Sequence, residues 1–329
     1  MPNRRRAISH LIWVSLWLLT CSSIAPSQND TASSIATDRG KEGMTGGQAV
    51  ILGVVEGLTE YLPISSTGHL LIAQRIMGIG ESTSRSSEIK QRVKDASDAY
   101  TICIQLGAII AVLGLYFRRV RQMTRGLVGK DPAGRRLLLN VAAGFLPAAV
   151  IGLLFNETIK THLFGPWPVV TAWFVGGLAI LAVSWRNQNS LRQTRSGMSV
   201  DNLTWQLALI IGFAQCIAMW PGVSRSLVTI VGGLLVGLSM SATVEYSFLL
   251  GMVTLGAATV YDALRHGEVM LQTFDVHSLT IGLVFAFVSA IVSVKWMVTF
   301  LKRHGLALFG YYRVGLAMVT AVLLATHMI

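Results

Sequence analysis

Charge is what this sequence has least of. Only 13% of its 329 residues are Asp, Glu, Lys or Arg, about half the share found in ordinary soluble domains. So few ionised groups cannot cover the surface of a water-soluble fold of this size, and that class is excluded. Cysteine is scarce too. Cys21, Cys103 and Cys216 have neither the number nor the spacing of a disulfide framework or a zinc site. Strand-length alternation punctuated by turn residues is missing, which argues against a transmembrane β-barrel. A Walker-type loop and a dinucleotide fingerprint are missing as well. The glycine pairs Gly176-Gly177 and Gly232-Gly233 therefore read as close helix contacts rather than nucleotide cradles.

Apolar length is what the chain has instead. Hydrophobic residues make up 52% of it, and the mean hydropathy is +0.57. The runs Leu137–Phe155, Trp167–Trp185, Ser278–Leu301 and Leu306–Ala325 approach the ~20 residues that cross a bilayer. The expected class is an all-α, polytopic integral membrane protein. Lys and Arg number 27 against 16 Asp and Glu, a net charge of +11. Nucleic acid is not the expected partner, because most of the cations sit in short loops between apolar runs, where they set orientation. Residues 118–136 carry Arg118, Arg119, Arg121, Arg125, Lys130, Arg135 and Arg136 against Asp131 alone, so this loop is assigned to the cytoplasm. Lys302 and Arg303 mark another inner loop. Residues 79–98, 156–166 and 262–277 are assigned as outer loops.

Parity then constrains the rest. The stretch 205–245 must begin and end inside, yet it holds two apolar segments, Trp205–Trp220 and Leu227–Leu238, broken at Pro221-Gly222. Twelve residues are too few for an ordinary span, and Pro-Gly interrupts a helix. A re-entrant hairpin is the simplest solution. Gln48–Ile76, broken at Pro63, forms a second hairpin that dips from the opposite face. Such a pair marks an inverted repeat. An offset of 159 lays Ile51, Gly53 and Ser65 on Ile210, Gly212 and Ser224, and Glu56 on Gln215. Residues 1–43 form a separate extension. Arg4-Arg5-Arg6 before Leu11–Leu19 reads as a signal peptide or anchor, with translation from Met44 as the alternative. The membrane domain is 44–329.

Ionisable groups at membrane depth are costly and mark sites. Residues 45–77 hold Glu56, Glu60, His69 and Arg75, and Arg225 is the one charged residue between 202 and 244. Glu56 and Glu60, four apart, share a helix face. Ser65, Ser66 and Thr67 follow Pro63, and Ser224 and Ser226 follow Pro221-Gly222. Each cluster sits where a broken helix restarts, so its free N–H groups suit an anion, although serines there also serve as plain N-caps. A guanidinium forks onto phosphate oxygens, and paired carboxylates suit a hard divalent cation, Mg²⁺ or Ca²⁺. An ion pair that merely locks the hairpins would explain Glu60 and Arg225, but not Glu56, His69 or the hydroxyls. The residues thus point to an intramembrane site for a lipid phosphate or diphosphate, with hydrolysis and transport both open.

In these segments the chain resembles the undecaprenyl-diphosphate phosphatase, or bacitracin-resistance protein, family. The first signature reads Glu56-Gly57-Leu58-Thr59-Glu60-Tyr61-Leu62-Pro63-Ile64-Ser65-Ser66-Thr67-Gly68-His69. The second reads Pro221-Gly222-Val223-Ser224-Arg225-Ser226, with Thr229 beyond. The resemblance covers residues 44–329. It implies hydrolysis of undecaprenyl diphosphate to undecaprenyl phosphate and inorganic phosphate, recycling of the cell-wall lipid carrier, bacitracin resistance, and dependence on a divalent cation. It places the protein in the bacterial inner membrane with its site opening outward. The implied partners are a polyprenyl diphosphate and membrane lipid, and a homodimer is allowed for.

By matching position, Glu56 and Glu60 are the metal-binding and catalytic acids, His69 the essential histidine and Arg225 the diphosphate-binding arginine. Ser66 is the proposed nucleophile, with water as the alternative. Ser65, Thr67, Ser224, Ser226 and Thr229 bind substrate. The expected chemistry is displacement at the terminal phosphorus, with His69 as general base or acid. The chain departs from the family pattern at Leu227, where glycine is usual, at Thr101, where an acid is usual, and in a longer 79–98 loop.

Overall fold

The computed structural model describes residues 44–80, 87–163, 165–187 and 197–326. The extension 1–43 lies outside them. The described chain is helical, in the order α1 (Gly46–Thr59), α2 (Ser66–Ile76), α3 (Ser87–Leu115), α4 (Phe117–Leu127), α5 (Pro132–Leu163), α6 (Pro166–Asn187), α7 (Trp205–Cys216), α8 (Arg225–Leu235), α9 (Met240–Thr273), α10 (Val276–His304) and α11 (Ala307–Ala325).

Among the described residues, six segments are long and apolar enough to cross a membrane: Val93–Leu115, Pro132–Phe155, Pro166–Trp185, Met240–Arg265, Val276–His304 and Ala307–Ala325. Each buries only 33–44% of its most apolar window inside the protein. The remaining faces carry residues such as Leu153, Leu154, Leu264 and Val319, all more than half exposed. Apolar faces turned outward along every span belong against hydrocarbon, not water.

The helices run further than hydropathy alone indicates. α3 begins at Ser87, α5 continues to Leu163 and α9 to Thr273, so much of the three expected outer loops is helix. Polar residues continue a helix past the apolar zone because the backbone hydrogen bonds are already in place and each added residue closes another. The basic stretch after residue 117 is also partly helical. α4 places Arg119 so that Nε donates to Glu245 Oε1 at 2.5 Å and Nη1 to Asp201 Oδ1 at 2.9 Å, tying α4 to α9 and to the turn at Val200–Asn202.

The two interrupted segments form the expected helix pairs, α1/α2 and α7/α8. A reciprocal capping box opens α1: Gln48 N–H donates to Thr45 Oγ1 at 3.2 Å, and Thr45 N–H to Gln48 Oε1 at 2.9 Å. Adding 159 to α2 (66–76) gives 225–235, the bounds of α8. The repeat extends to backbone conformation. Ser65 (φ 73°) and Ser224 (φ 74°), 159 apart, are the only non-glycine residues with positive φ among the described residues.

Packing crosses between the halves. α1 lies along α10 of the second half, and α7 lies along α5 of the first. Both contacts depend on glycine. A Cβ on Gly53 would overlap the Gly282 carbonyl oxygen, and one on its repeat mate Gly212 would overlap the Gly144 carbonyl oxygen. Backbones this close gain dispersion contact that lipid cannot supply. Gly212→Ala is expected to lower the thermal unfolding midpoint in detergent, at a cost of about 1–3 kcal/mol for overpacking. An unchanged midpoint would mean that α7 does not sit against α5. Leu227 is accommodated in the core beside Tyr61, Ile64 and Phe248.

Candidate active site

The site forms where the two hairpin turns meet. Glu60 caps the end of α1 and is 7% exposed. Ser66 is the first residue of α2, and its hydroxyl donates to Glu60 Oε2. Arg225, the first residue of α8, places Nη2 3.3 Å from Glu60 Oε1. One carboxylate thus touches a hydroxyl from its own hairpin and a guanidinium from the other. A residue with positive φ, Ser65 or Ser224, stands just before each of these helix starts. Non-glycine residues hold such backbone at a cost of order 1–3 kcal/mol, and this kind of strain clusters at functional sites.

Further contacts fix the guanidinium. Nη1 donates to the Ser247 carbonyl at 3.2 Å, and the group lies 5.6 Å from the Tyr61 ring centroid, within cation–π range. Gly251 leaves the space it occupies, since a Cβ there would overlap Nη1. Arg225 Nε is buried without a partner. A cavity of about 220 Å³ adjoins these groups, with Glu60, Ser65, Ser66, Thr67, Ser224 and Arg225 in its wall. Six of the expected site residues therefore line one cavity, and Gln105, Gln215 and Thr254 line it with them.

The other expected residues stand back from the cavity. Ser226 donates to the Leu62 carbonyl at 2.8 Å, and Thr229 shares a 2.6 Å contact with the Ser247 hydroxyl. The first joins the two hairpins and the second ties α8 to α9. His69 Nδ1 lies 2.6 Å from the Ser65 carbonyl and Nε2 lies 2.8 Å from the Tyr312 hydroxyl. A carbonyl only accepts, so Nδ1 carries a proton, and in the neutral ring Nε2 accepts from the Tyr312 hydroxyl. Both ring nitrogens are engaged at the rear of the Ser65 turn. Glu56 is 1% exposed, one helical turn behind Glu60, and its Oε1 has no partner.

That orphaned oxygen fits an oxygen-seeking divalent cation. No group of three or more His, Cys, Asp or Glu side chains suited to a metal occurs among the described residues. Substrate oxygens and water would have to complete the coordination, which is the ordinary way of holding Mg²⁺. Thr101 takes no part here. Its hydroxyl donates to the Ser97 carbonyl at 2.7 Å.

Arg313 is the residue that the sequence reading passed over. It is fully buried on α11, with no ion-pair partner among the described residues. Nη1 donates to the carbonyls of Pro63 (3.3 Å) and Val223 (3.1 Å). Nη2 donates to those of Gly222 (2.8 Å) and Ala172 (2.9 Å), and Nε to that of Trp173 (3.4 Å). One side chain therefore holds both turns and α6. Its signal was present, as a lone cation inside the apolar run Leu306–Ala325.

The description "Bacitracin resistance protein BacA" matches residues 49–319 of the chain. The chain belongs to this family. It is 46% identical to an undecaprenyl-diphosphatase of Sorangium cellulosum, over 82% of this chain and 83% of that protein. It is 43% identical to undecaprenyl-diphosphatase 2 of Rhodospirillum rubrum, over 83% and 92%, and 41% identical to an undecaprenyl-diphosphatase of Ectopseudomonas mendocina, over 86% and 95%. The family match spans both hairpins and reaches Arg313, so everything that builds the cavity lies within the family's portion of the chain.

Proposed function

We propose that this protein hydrolyses undecaprenyl diphosphate to undecaprenyl phosphate and inorganic phosphate, which recycles the cell-wall lipid carrier and confers bacitracin resistance. The observation that carries the reading is the shared carboxylate: Glu60 accepts from the Ser66 hydroxyl on one oxygen and meets Arg225 on the other, beside a cavity. A nucleophile in contact with its base, next to a cation suited to phosphoryl oxygens, is the minimal set for phosphoryl transfer.

In the mechanism this supports, Ser66 Oγ attacks the terminal phosphorus and its proton passes to Glu60. The bond from that phosphorus to the bridging oxygen breaks, and undecaprenyl phosphate departs with the electron pair. Water then cleaves the phosphoserine and releases inorganic phosphate. Arg225 stabilises the charge on the phosphoryl oxygens. Glu56 and Glu60 would hold a divalent cation, which supplies neutralisation of diphosphate charge. Glu60, rather than His69, is the group in contact with the Ser66 hydroxyl. His69 supports the Ser65 turn.

The excess of cations in 118–136 supports a cytoplasmic side for α4. With it goes an inner-membrane location and a cavity opening to the periplasmic side. The rival reading is a lipid-phosphate transporter, because paired broken helices related by a repeat are also a transporter design. Phosphate release from a C55 diphosphate by purified protein in detergent, where no gradient exists, separates the two. Ser66→Ala is expected to abolish that release, and acid quenching of wild type should trap phosphate on Ser66. Sustained turnover in Ser66→Ala would assign the attack to water.

A further inference from the structure

The repeat places Gln215 where the first hairpin has Glu56, 159 residues apart. Both side chains are buried, at 3% and 1% exposure. Each has one terminal atom without a partner, a nitrogen in Gln215 (Nε2) and an oxygen in Glu56 (Oε1). Gln215 lines the cavity, and its other terminal atom, Oε1, lies 3.4 Å from the Thr254 hydroxyl, whose shorter bond goes to the Leu250 carbonyl at 2.9 Å. The amide nitrogen is the end with no partner. A second unpartnered donor in the same wall is Arg225 Nε. A buried amide without a partner costs about 1–3 kcal/mol, so a donor retained here calls for an acceptor that arrives from outside.

We infer that Gln215 is a substrate-binding residue whose amide N–H donates to a phosphoryl oxygen of the diphosphate group, alongside Arg225. This rests on the phosphatase reading above and adds to it a division of labour within the repeat. The α1 hairpin offers acceptors, Glu56 and Glu60, to a cation. The α7/α8 hairpin offers donors, Gln215 and Arg225, to an anion. At the symmetry-related positions an amide in the cavity wall, Gln215, stands where the first hairpin has a carboxylate one helical turn behind Glu60. A carboxylate at 215 would present like charge to the diphosphate.

The test uses the full-length purified protein and inorganic diphosphate as a competitive inhibitor of phosphate release from a C55 diphosphate. Gln215→Met keeps the side-chain length and removes the donor. Its Ki for inorganic diphosphate and its KM are expected to rise about 10- to 100-fold, the worth of a hydrogen bond to a charged group, with a smaller change in kcat. Gln215→Glu, nearly identical in shape, is expected to raise both at least as far. It carries the test if Gln215→Met does not yield monodisperse protein. A Ki within twofold of wild type in a folded variant overturns the assignment. So does a fall in kcat alone. Failure of the underlying reading looks different, because wild-type protein would then release no phosphate.

Discussion

Arg225→Ala is expected to reduce phosphate release by roughly 10³-fold or more, the scale for losing a principal stabiliser of transition-state charge. The substitution removes the cation facing the phosphoryl group and leaves Glu60, which is 7% exposed, without its guanidinium. The buried carboxylate that receives the Ser66 proton is then left without its ion-pair partner, so the loss extends to the base. Arg225→Lys keeps the charge but lacks the fork and the planar face set over Tyr61, and is expected to recover only a small part of the activity. Initial rates at saturating metal, on protein shown to be folded by circular dichroism, decide the matter. Turnover in Arg225→Ala within tenfold of wild type would remove Arg225 from the reaction.

The second large effect is expected at Arg313, and in stability as much as in rate. Arg313→Met retains bulk and removes every donor. The carbonyls of Pro63, Gly222 and Val223 sit in turns, and each accepts a hydrogen bond from Arg313. Each turn carbonyl left without a donor costs about 1–3 kcal/mol. The midpoint of thermal unfolding should fall, and phosphate release should fall with it, because the same carbonyls set the separation of the two turns. Arg313→Lys cannot reach five acceptors from one ammonium and is expected to lie between the two. A lysine variant indistinguishable from wild type would mean that the fork does not matter.

Much of this was legible in the residues. Twelve apolar residues after Pro221-Gly222 are too short to cross a bilayer, and α8 is accordingly half of a hairpin. The offset of 159 rested on a few identities, yet it reproduces the bounds of α8 and the paired φ values of Ser65 and Ser224. Glu60, Ser66 and Arg225 meet as their types suggested. Helix extent was less legible, because hydropathy reports where lipid lies and not where backbone hydrogen bonding stops. Residue type also did not reveal which hydroxyls face the cavity. Ser226 and Ser224 lie two apart and both reach the Leu62 carbonyl, and only the fold decides that Ser224 alone also lines the pocket. Arg313 was missed because a single cation in a span resembles an orientation signal until its carbonyl partners are known.

Each of the two arginines in the centre passes over a glycine, Arg225 over Gly251 on α9 and Arg313 over Gly176 on α6. The positions of the two guanidiniums are therefore set by vacancy as well as by attraction. One methyl group at either glycine would dislodge a guanidinium without altering a single ionisable residue. Damage to the chemistry can thus arise from neutral substitutions on neighbouring helices, and the boundary of this centre is drawn in backbone shape before it is drawn in polarity.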